Sequence, residues 1–304
     1  MTLTAAQQDL RHQLEGLYDT REATNIADLV MEKVTGLDRM GRLVHKHQEL
    51  NTEQDDLLKR YIAELLSGRP VQYVIEESWF AGMAFYVNED VLIPRPETEE
   101  LAEWGADILK KSGFSSPRIL DMGTGSGCLA ITLKKKLPNA AVTAIDKSIG
   151  AIKVASRNAE ALGAAVLFHV MDFLDKDQWN VVGTFDLIIS NPPYIPLRDK
   201  SSMAPNVLDH EPHLALFVEN EDPLLFYRAL SEFGKEHLAQ GGLLMCEIHE
   251  DLGRDAVELL QRCGLRDVQV RRDLQGKDRM VIGYQSSLSV TANNIHRGER
   301  ESAE

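Results

Sequence analysis

The sequence predicts an α/β fold: a doubly wound, mainly parallel sheet with a terminal antiparallel strand, preceded by an N-terminal helical bundle. Three observations carry this reading. Residues 1 to about 70 repeat their apolar side chains at helical spacing only. After Pro117, short apolar runs alternate with amphipathic stretches, the pattern of strands joined by crossover helices. The last two apolar runs are separated only by the turn-like "DLQGKD", too short for a parallel crossover, so they pair antiparallel.

Each element has its own local reason. Leu3, Leu10, Leu14 and Leu17 share one helical face, and Ile26, Leu29, Val30 and Val34 share another. Asn51 with Gln54 forms a capping box that opens a helix through Leu57, Leu58, Tyr61, Ile62, Leu65 and Leu66; Gly68 and Pro70 end it. Phe80, Phe85 and Val87 around a central Gly82 then predict a short β-hairpin that leads into "VLIPRPETEE" and joins the two parts of the chain. Strands follow at 118–121, 141–146, 165–170, 185–190 and 243–248, with helices at about 127–137, 148–162, 223–239 and 251–263. The final strands are placed at 267–272 and 279–284. The polar residues 286–304 lack the apolar content to fold and are expected to be disordered.

Composition narrows the function classes. With 33 basic and 47 acidic residues among 304, the net charge is −14, which disfavours non-specific binding to nucleic-acid phosphates and suits a protein or small-molecule partner. The cysteines at 128, 246 and 263 form no paired framework, and a reducing cytosol is the simplest setting. The N-terminal stretch has no apolar signal region, and no apolar run reaches bilayer length, so a soluble cytoplasmic protein is expected.

The first strand of the alternating region runs into "ILDMGTGSGCLA". Gly123, Gly125 and Gly127 allow a tight turn and close approach of a ligand to a helix N-terminus. The spacing is GxGxG, not the GxGxxG of dinucleotide binders, and no lysine-serine or lysine-threonine pair completes a P-loop. Asp121 is placed to face a cationic or amine-bearing ligand. Asp146, at the end of the second strand, is placed to accept both hydroxyls of a ribose. Asp172 and Phe173 follow the third strand, where a carboxylate and a ring suit an adenine. Each aspartate alone also fits a helix cap or a turn. Acids at three successive strand ends instead describe a site for a nucleoside with a positively charged, amino-acid-like appendage, which S-adenosylmethionine fits.

The fourth strand ends in "ISNPPYIP". Proline cannot donate to a ladder, so the strand stops at Asn191. Asn191 offers a side-chain carbonyl, and Pro192 a main-chain carbonyl held stiffly between Asn191 and Pro193. Two fixed acceptors can hold both hydrogens of a planar –NH2 and aim its nitrogen at an electrophilic methyl, while Tyr194 stacks on a flat substrate group. Positioning then carries the rate, without a general base.

These residues resemble the class I S-adenosylmethionine-dependent methyltransferases that act on amino groups. The stretch "GRPVQYVIEESWFAGMAFYVNEDVLIPRPETEELAEW" (68–104), with "NAEALG" (158–163), "HEPHLALF" (210–217), "DPLLFYRAL" (222–230) and "GKDRMVIGY" (276–284), is similar to the release-factor glutamine methyltransferases. The resemblance implies a Rossmann-like sheet in residues 99–285, a β-hairpin linker in 75–98 and a substrate-docking helical domain in 1–74. It implies that Gly123, Thr124, Gly125, Ser126 and Gly127 line the methionine end of S-adenosylmethionine, that Asp146 holds the ribose, and that Asp172 and Phe173 hold the adenine. Phe173 departs from the tryptophan usual in the family. Asn191 would touch cofactor and substrate, and Asn191, Pro192, Pro193 and Tyr194 would hold the glutamine amide of a Gly-Gly-Gln loop in a peptide-chain release factor. "EIHEDLG" (247–253) departs from the family form and receives no role.

His210 and His213 lack a third ligand in sequence, and no metal is expected. The lysines of "LKKKL" (133–137) read as a solvated helix end. Arg95 and Glu97 fit either the substrate entrance or a structural ion pair. Competing functions are glutamine methylation of a ribosomal protein, amino-methylation of adenine in DNA or RNA, and a binding module without turnover. The acidic charge counts against direct nucleic-acid binding, and the complete Asn191–Tyr194 motif counts against loss of turnover.

Overall fold

A computed structural model describes residues 1–285; the expectation for 286–304 lies outside the described residues. The chain opens with the helices α1 (Leu3–Leu14), α2 (Thr20–Thr35), α3 (Arg39–Val44), α4 (Thr52–Leu66) and α5 (Val71–Val74). Leu3, Leu10, Leu14, Ile26, Val30, Val34, Leu58 and Leu65 form their common core. The capping box on α4 is present, with Asn51 accepting from Gln54 N–H and the Gln54 side chain accepting from Asn51 N–H. Gly68, two residues past the helix, takes a left-handed φ of 88°.

Two leucines leave their predicted faces. Leu17 is 55% exposed because α1 stops at Leu14 and the chain turns away, so its helical phase no longer applies. Leu29 is 38% exposed because the buried stripe of α2 runs through Ala23, Ile26, Ala27, Val30, Met31 and Val34, and Leu29 falls on its flank.

The hairpin pairs β1 (Ser78–Phe80) with β2 (Met83–Phe85). Ala81 and Gly82 both have positive φ, as a two-residue hairpin turn with right-handed strand twist demands. A helix absent from the sequence reading follows: α6 (Pro96–Lys111) begins inside the segment expected to be linker. Pro96 occupies its first position, where a missing N–H costs nothing, and Glu97 and Glu99 suit the positive end of its dipole.

The remaining elements are β3 (Arg118–Met122), α7 (Cys128–Lys136), β4 (Ala141–Asp146), α8 (Ile149–Ala161), β5 (Val166–Val170), β6 (Phe185–Ser190), β7 (Ile195–Pro196), α9 (Pro205–His210) and β8 (Phe217–Val218). After them come α10 (Leu225–His237), β9 (Leu238–Glu247), α11 (Gly253–Arg262), β10 (Arg266–Arg272) and β11 (Asp278–Tyr284). The sheet order is β10-β11-β9-β6-β3-β4-β5. The five strands β9, β6, β3, β4 and β5 run parallel, and β11 pairs antiparallel with both β9 and β10. The expected fold class is therefore observed. The predicted end of α10 at residue 239 is corrected: the helix stops at His237, and residues 238–242 belong to β9. The short parallel pair of β7 with β8 was not foreseen either.

Alternate residues of each central strand go to opposite faces, as strand pleat requires. Ile119, Leu187, Ile189 and Met245 meet α6 and α7 through Leu101, Leu109 and Leu133. Leu120, Ile188, Leu244 and Cys246 meet α10 and α11 through Tyr227, Leu230, Phe233 and Leu260. The chain leaves β3 toward β4 on one side and returns to β6 on the other, which opens a crevice above the carboxyl ends of β3 and its neighbours. Among the described residues no helix is long and apolar enough to cross a membrane.

Candidate active site

A cavity of about 250 Å³ lies in that crevice. Gly123, Thr124, Gly125, Ser126, Asp146, Asp172, Phe173, Asn191 and Pro193 line it, together with residues of 89–98, 212–215 and Phe226. The topology thus brings most of the expected site residues to one place. Gly127, Pro192 and Tyr194 are not in the wall of this cavity.

The glycine loop has left-handed φ at all three glycines, 73° at Gly123, 54° at Gly125 and 82° at Gly127. They serve different ends. A Cβ on Gly123 or Gly125 would meet nothing within 4 Å, so both border open space where a ligand can approach the backbone. A Cβ on Gly127 would meet Ile131 at 3.0 Å and Ala155 at 3.1 Å. Gly127 lets α7 pack closely on α8.

Asp121 is fully buried and does not face the cavity, contrary to its expected contact with a ligand. Its Oδ2 accepts from the Thr124 hydroxyl at 2.7 Å and from Ala130 N–H at 3.1 Å. Gly127 at the N-cap of α7 has no side chain to cap with, and Asp121 supplies that acceptor from the preceding strand. Burial pushes its carboxyl up to about 7.

Asp146 does face the cavity. One oxygen accepts from Gly125 N–H at 3.0 Å and the other from Ser148 N–H at 2.9 Å, which ties the loop to β4 and leaves lone pairs on both oxygens. Its pKa is raised, chiefly by burial and against these donors. Asp172 accepts from Leu174 N–H at 3.1 Å and from Lys147 at 3.5 Å. The carbonyl of Phe173 accepts from the buried Trp179 indole N–H at 2.9 Å, and the Phe173 ring leans on Phe226, 5.6 Å between centroids.

The stop of β6 is held from below. Ser190 donates its hydroxyl proton to the Met122 carbonyl at 2.7 Å, locking the ends of β6 and β3 together. Asn191 Nδ2 donates to Thr98 Oγ1 at 3.0 Å, and Thr98 Oγ1 donates to Glu247 Oε2 at 2.7 Å. Tyr194 donates its hydroxyl proton to Glu247 Oε1 at 2.8 Å. The tyrosine expected to stack on substrate is thus anchored inward at its hydroxyl. Glu247 is 1% exposed, and burial raises its pKa against the pull of these two donors and of Arg279.

Thr98, Glu247, Arg95 and Glu211 complete the site, and none of them has a fixed role legible in the sequence. Arg95 pairs with buried Glu211 at 2.5 Å rather than with Glu97, and thereby pins the wall formed by residues 212–215. One signal for Glu247 was available: it is a further acid at the carboxyl end of a sheet strand, as Asp121 and Asp146 are, with Asp172 just past another. His213 Nε2 donates to the Leu208 carbonyl, 2.8 Å away, and the ring packs on Phe217.

The residues suit a nucleoside with a charged amino-acid arm. Open space beside two glycines, a buried Ser126 hydroxyl with no partner among the described residues, and free lone pairs on Asp146 together form a polar cradle. A glycine-loop cradle at the switch point of a sheet of this order, ending in an antiparallel strand, defines a class I methyltransferase. Residues 5–75 match the family model of the PrmC N-terminal domain, and residues 106–210 match that of the methyltransferase small domain. The chain is 40% identical to the release factor glutamine methyltransferase of Flavobacterium psychrophilum over 88% of its own length and 94% of that protein's. It is also 40% identical to the protein of the same name in Bacteroides thetaiotaomicron, over 90% of this chain and 96% of that one. A solved structure, the release factor-specific protein-(glutamine-N5) methyltransferase of Alicyclobacillus acidocaldarius, superposes with TM-score 0.41 at 27% identity, covering 66% of this chain and 99% of that one. The chain belongs to the release factor glutamine methyltransferase family.

Proposed function

We propose that the protein transfers a methyl group from S-adenosylmethionine to the side-chain amide nitrogen of the glutamine in the Gly-Gly-Gln loop of a peptide-chain release factor. The observation that carries this reading is the placement of Asn191 and Pro193 in the wall of the same cavity as the glycine loop and Asp146. S-adenosylmethionine supplies an electrophilic methyl on a sulfonium. Gly123, Thr124, Gly125 and Ser126 would receive its methionine end, Asp146 its ribose hydroxyls, and Asp172 with Phe173 its adenine.

The protein's own work is orientation. Asn191 Oδ1 and the Pro192 carbonyl accept from the two N–H bonds of the glutamine amide. Held there, the nitrogen forms its bond to carbon as the sulfur–carbon bond breaks, and one N–H proton leaves to solvent. An amide nitrogen is a weak nucleophile because its lone pair is conjugated. Fixed acceptors in a water-poor site lower the barrier by positioning and by favouring the charge that develops on nitrogen. The helical region 1–74 would dock the release factor.

The test is mass spectrometry of the Gly-Gly-Gln peptide after incubation of the protein with S-adenosylmethionine and unmodified release factor. One added methyl on the glutamine is expected. Asn191→Ala should lower its rate by about 100-fold or more, while S-adenosylmethionine affinity changes far less. Methylation of a ribosomal protein or of adenine instead would overturn the assignment.

A further inference from the structure

Asn191 has a chemically ambiguous side chain. Its amide presents an acceptor at one end and two donors at the other, and only one orientation offers an acceptor to a substrate –NH2. The neighbours decide which. Glu247 spends both carboxylate oxygens on protein hydroxyls, Thr98 at 2.7 Å and Tyr194 at 2.8 Å. Ionised, the form that both donors and the nearby Arg279 favour, Glu247 can only accept. Thr98 has a single hydroxyl proton and must give it to Glu247, so only lone pairs remain to face Asn191 at 3.0 Å. Asn191 must therefore present Nδ2 to Thr98 and turn Oδ1 the other way. The charge on one buried carboxylate sets the direction of the whole chain of bonds.

We propose that Thr98 and Glu247 are positioning residues: through their hydrogen bonds they lock the Asn191 amide with its carbonyl oxygen toward the substrate nitrogen. The same carboxylate fixes the far end of the motif through Tyr194. This rests on the proposed glutamine methylation. Three separate parts of the chain meet to do it, because Thr98 is the third residue of α6, Glu247 ends β9, and Asn191 follows β6. Thr98 and Glu247 are both buried, so water does not compete for their bonds. Without the lock, the amide can rotate by half a turn and set an N–H against the substrate N–H, two donors with no acceptor between them.

The experiment uses the full chain, S-adenosylmethionine and an unmodified release factor, and measures kcat, KM for the release factor, and cofactor affinity by calorimetry. Thr98→Val keeps the shape of the side chain and removes the hydroxyl. It should lower kcat about 10- to 100-fold, with KM and cofactor affinity within about threefold of wild type. Thr98→Ser restores the hydroxyl and should return kcat to within about threefold. Glu247→Gln replaces a pure acceptor with a group that can also donate to Thr98; it should lower kcat about tenfold through loss of polarity alone. Unchanged kcat in both Thr98→Val and Glu247→Gln would overturn the proposal, as would equal losses in Thr98→Val and Thr98→Ser. If Thr98→Val fails to fold, Glu247→Gln against Thr98→Ser decides by the same criteria. Wild-type protein that leaves the glutamine unmethylated would instead remove the functional reading itself.

Discussion

Asp121 illustrates how far a single residue can be read from sequence. An acid before a glycine loop was visible, but its direction was not. The aspartate turns inward to hold Thr124 and the first turn of α7, and burial raises its pKa to about 7. In an unfolded chain an aspartate titrates near ~3.9. The folded state therefore keeps the proton to higher pH, so the stability associated with Asp121 is fully present below about pH 4 and is lost as pH rises to about 7. Asp121→Asn keeps an acceptor for both donors and cannot ionise. Its stability relative to wild type should rise between about pH 4 and 7 and stay level above that, as measured by urea unfolding at several pH values. A difference independent of pH would contradict the inward, protonatable role. The places of Asn191 and Asp146 at strand ends were legible because proline stops and strand ends are signals confined to a few residues. Glu247 and Thr98 were not, since they are 149 residues apart in sequence and only the folded sheet makes them partners.

At the scale of elements, α8 shows how a helix secures the site from behind. Its Asn158 accepts from Tyr86 N–H at 2.7 Å, and its amide donates to the carbonyls of Tyr86 and Ser126, each at 2.9 Å. One side chain thus satisfies the hairpin's exit strand and the glycine loop together. Arg157 on the same helix lies 3.4 Å over the Tyr86 ring. Asn158→Ala would strand the buried Ser126 carbonyl and two half-buried backbone groups of Tyr86 and should cost about 1–3 kcal/mol in urea unfolding, with S-adenosylmethionine affinity about tenfold weaker by calorimetry. Wild-type stability in that variant would show that water replaces the side chain. The helices α7, α8 and α11 were predicted nearly to the residue because amphipathic periodicity and caps are local. The helix α6 was hidden by two prolines that read as loop, although the second of them occupies a helix N1 position. The β7–β8 pair was invisible because two residues on each side carry no periodicity, and their pairing joins Ile195 to Phe217 across an intervening segment.

For the molecule as a whole, the joint between the helical region and the sheet is specific rather than loosely tethered. Tyr73 in α5 is fully buried and donates to the Val91 carbonyl at 2.6 Å, beside the segment that lines the cavity. Arg69 reaches Glu64 in α4 and Glu89 at 2.7 Å, and Lys33 in α2 pairs with Glu77 at 2.9 Å. The exposed ion pairs contribute little, whereas Tyr73→Phe leaves a buried carbonyl unpaired and should cost about 1–2 kcal/mol, read as a lower urea midpoint. An unchanged midpoint would count against that joint. By itself the sequence determined the alternation of the main strands and helices, the parallel sheet with its antiparallel end, the glycine loop and the Asn191–Tyr194 stop, because glycine, proline and apolar periodicity constrain the backbone locally. Tertiary structure alone decided which carboxylates face the cavity, which are spent on holding it, and which end of the Asn191 amide points outward. Those depend on burial and on hydrogen-bond partners distant in sequence, and the number of protons each partner has to give is settled only once they are in contact.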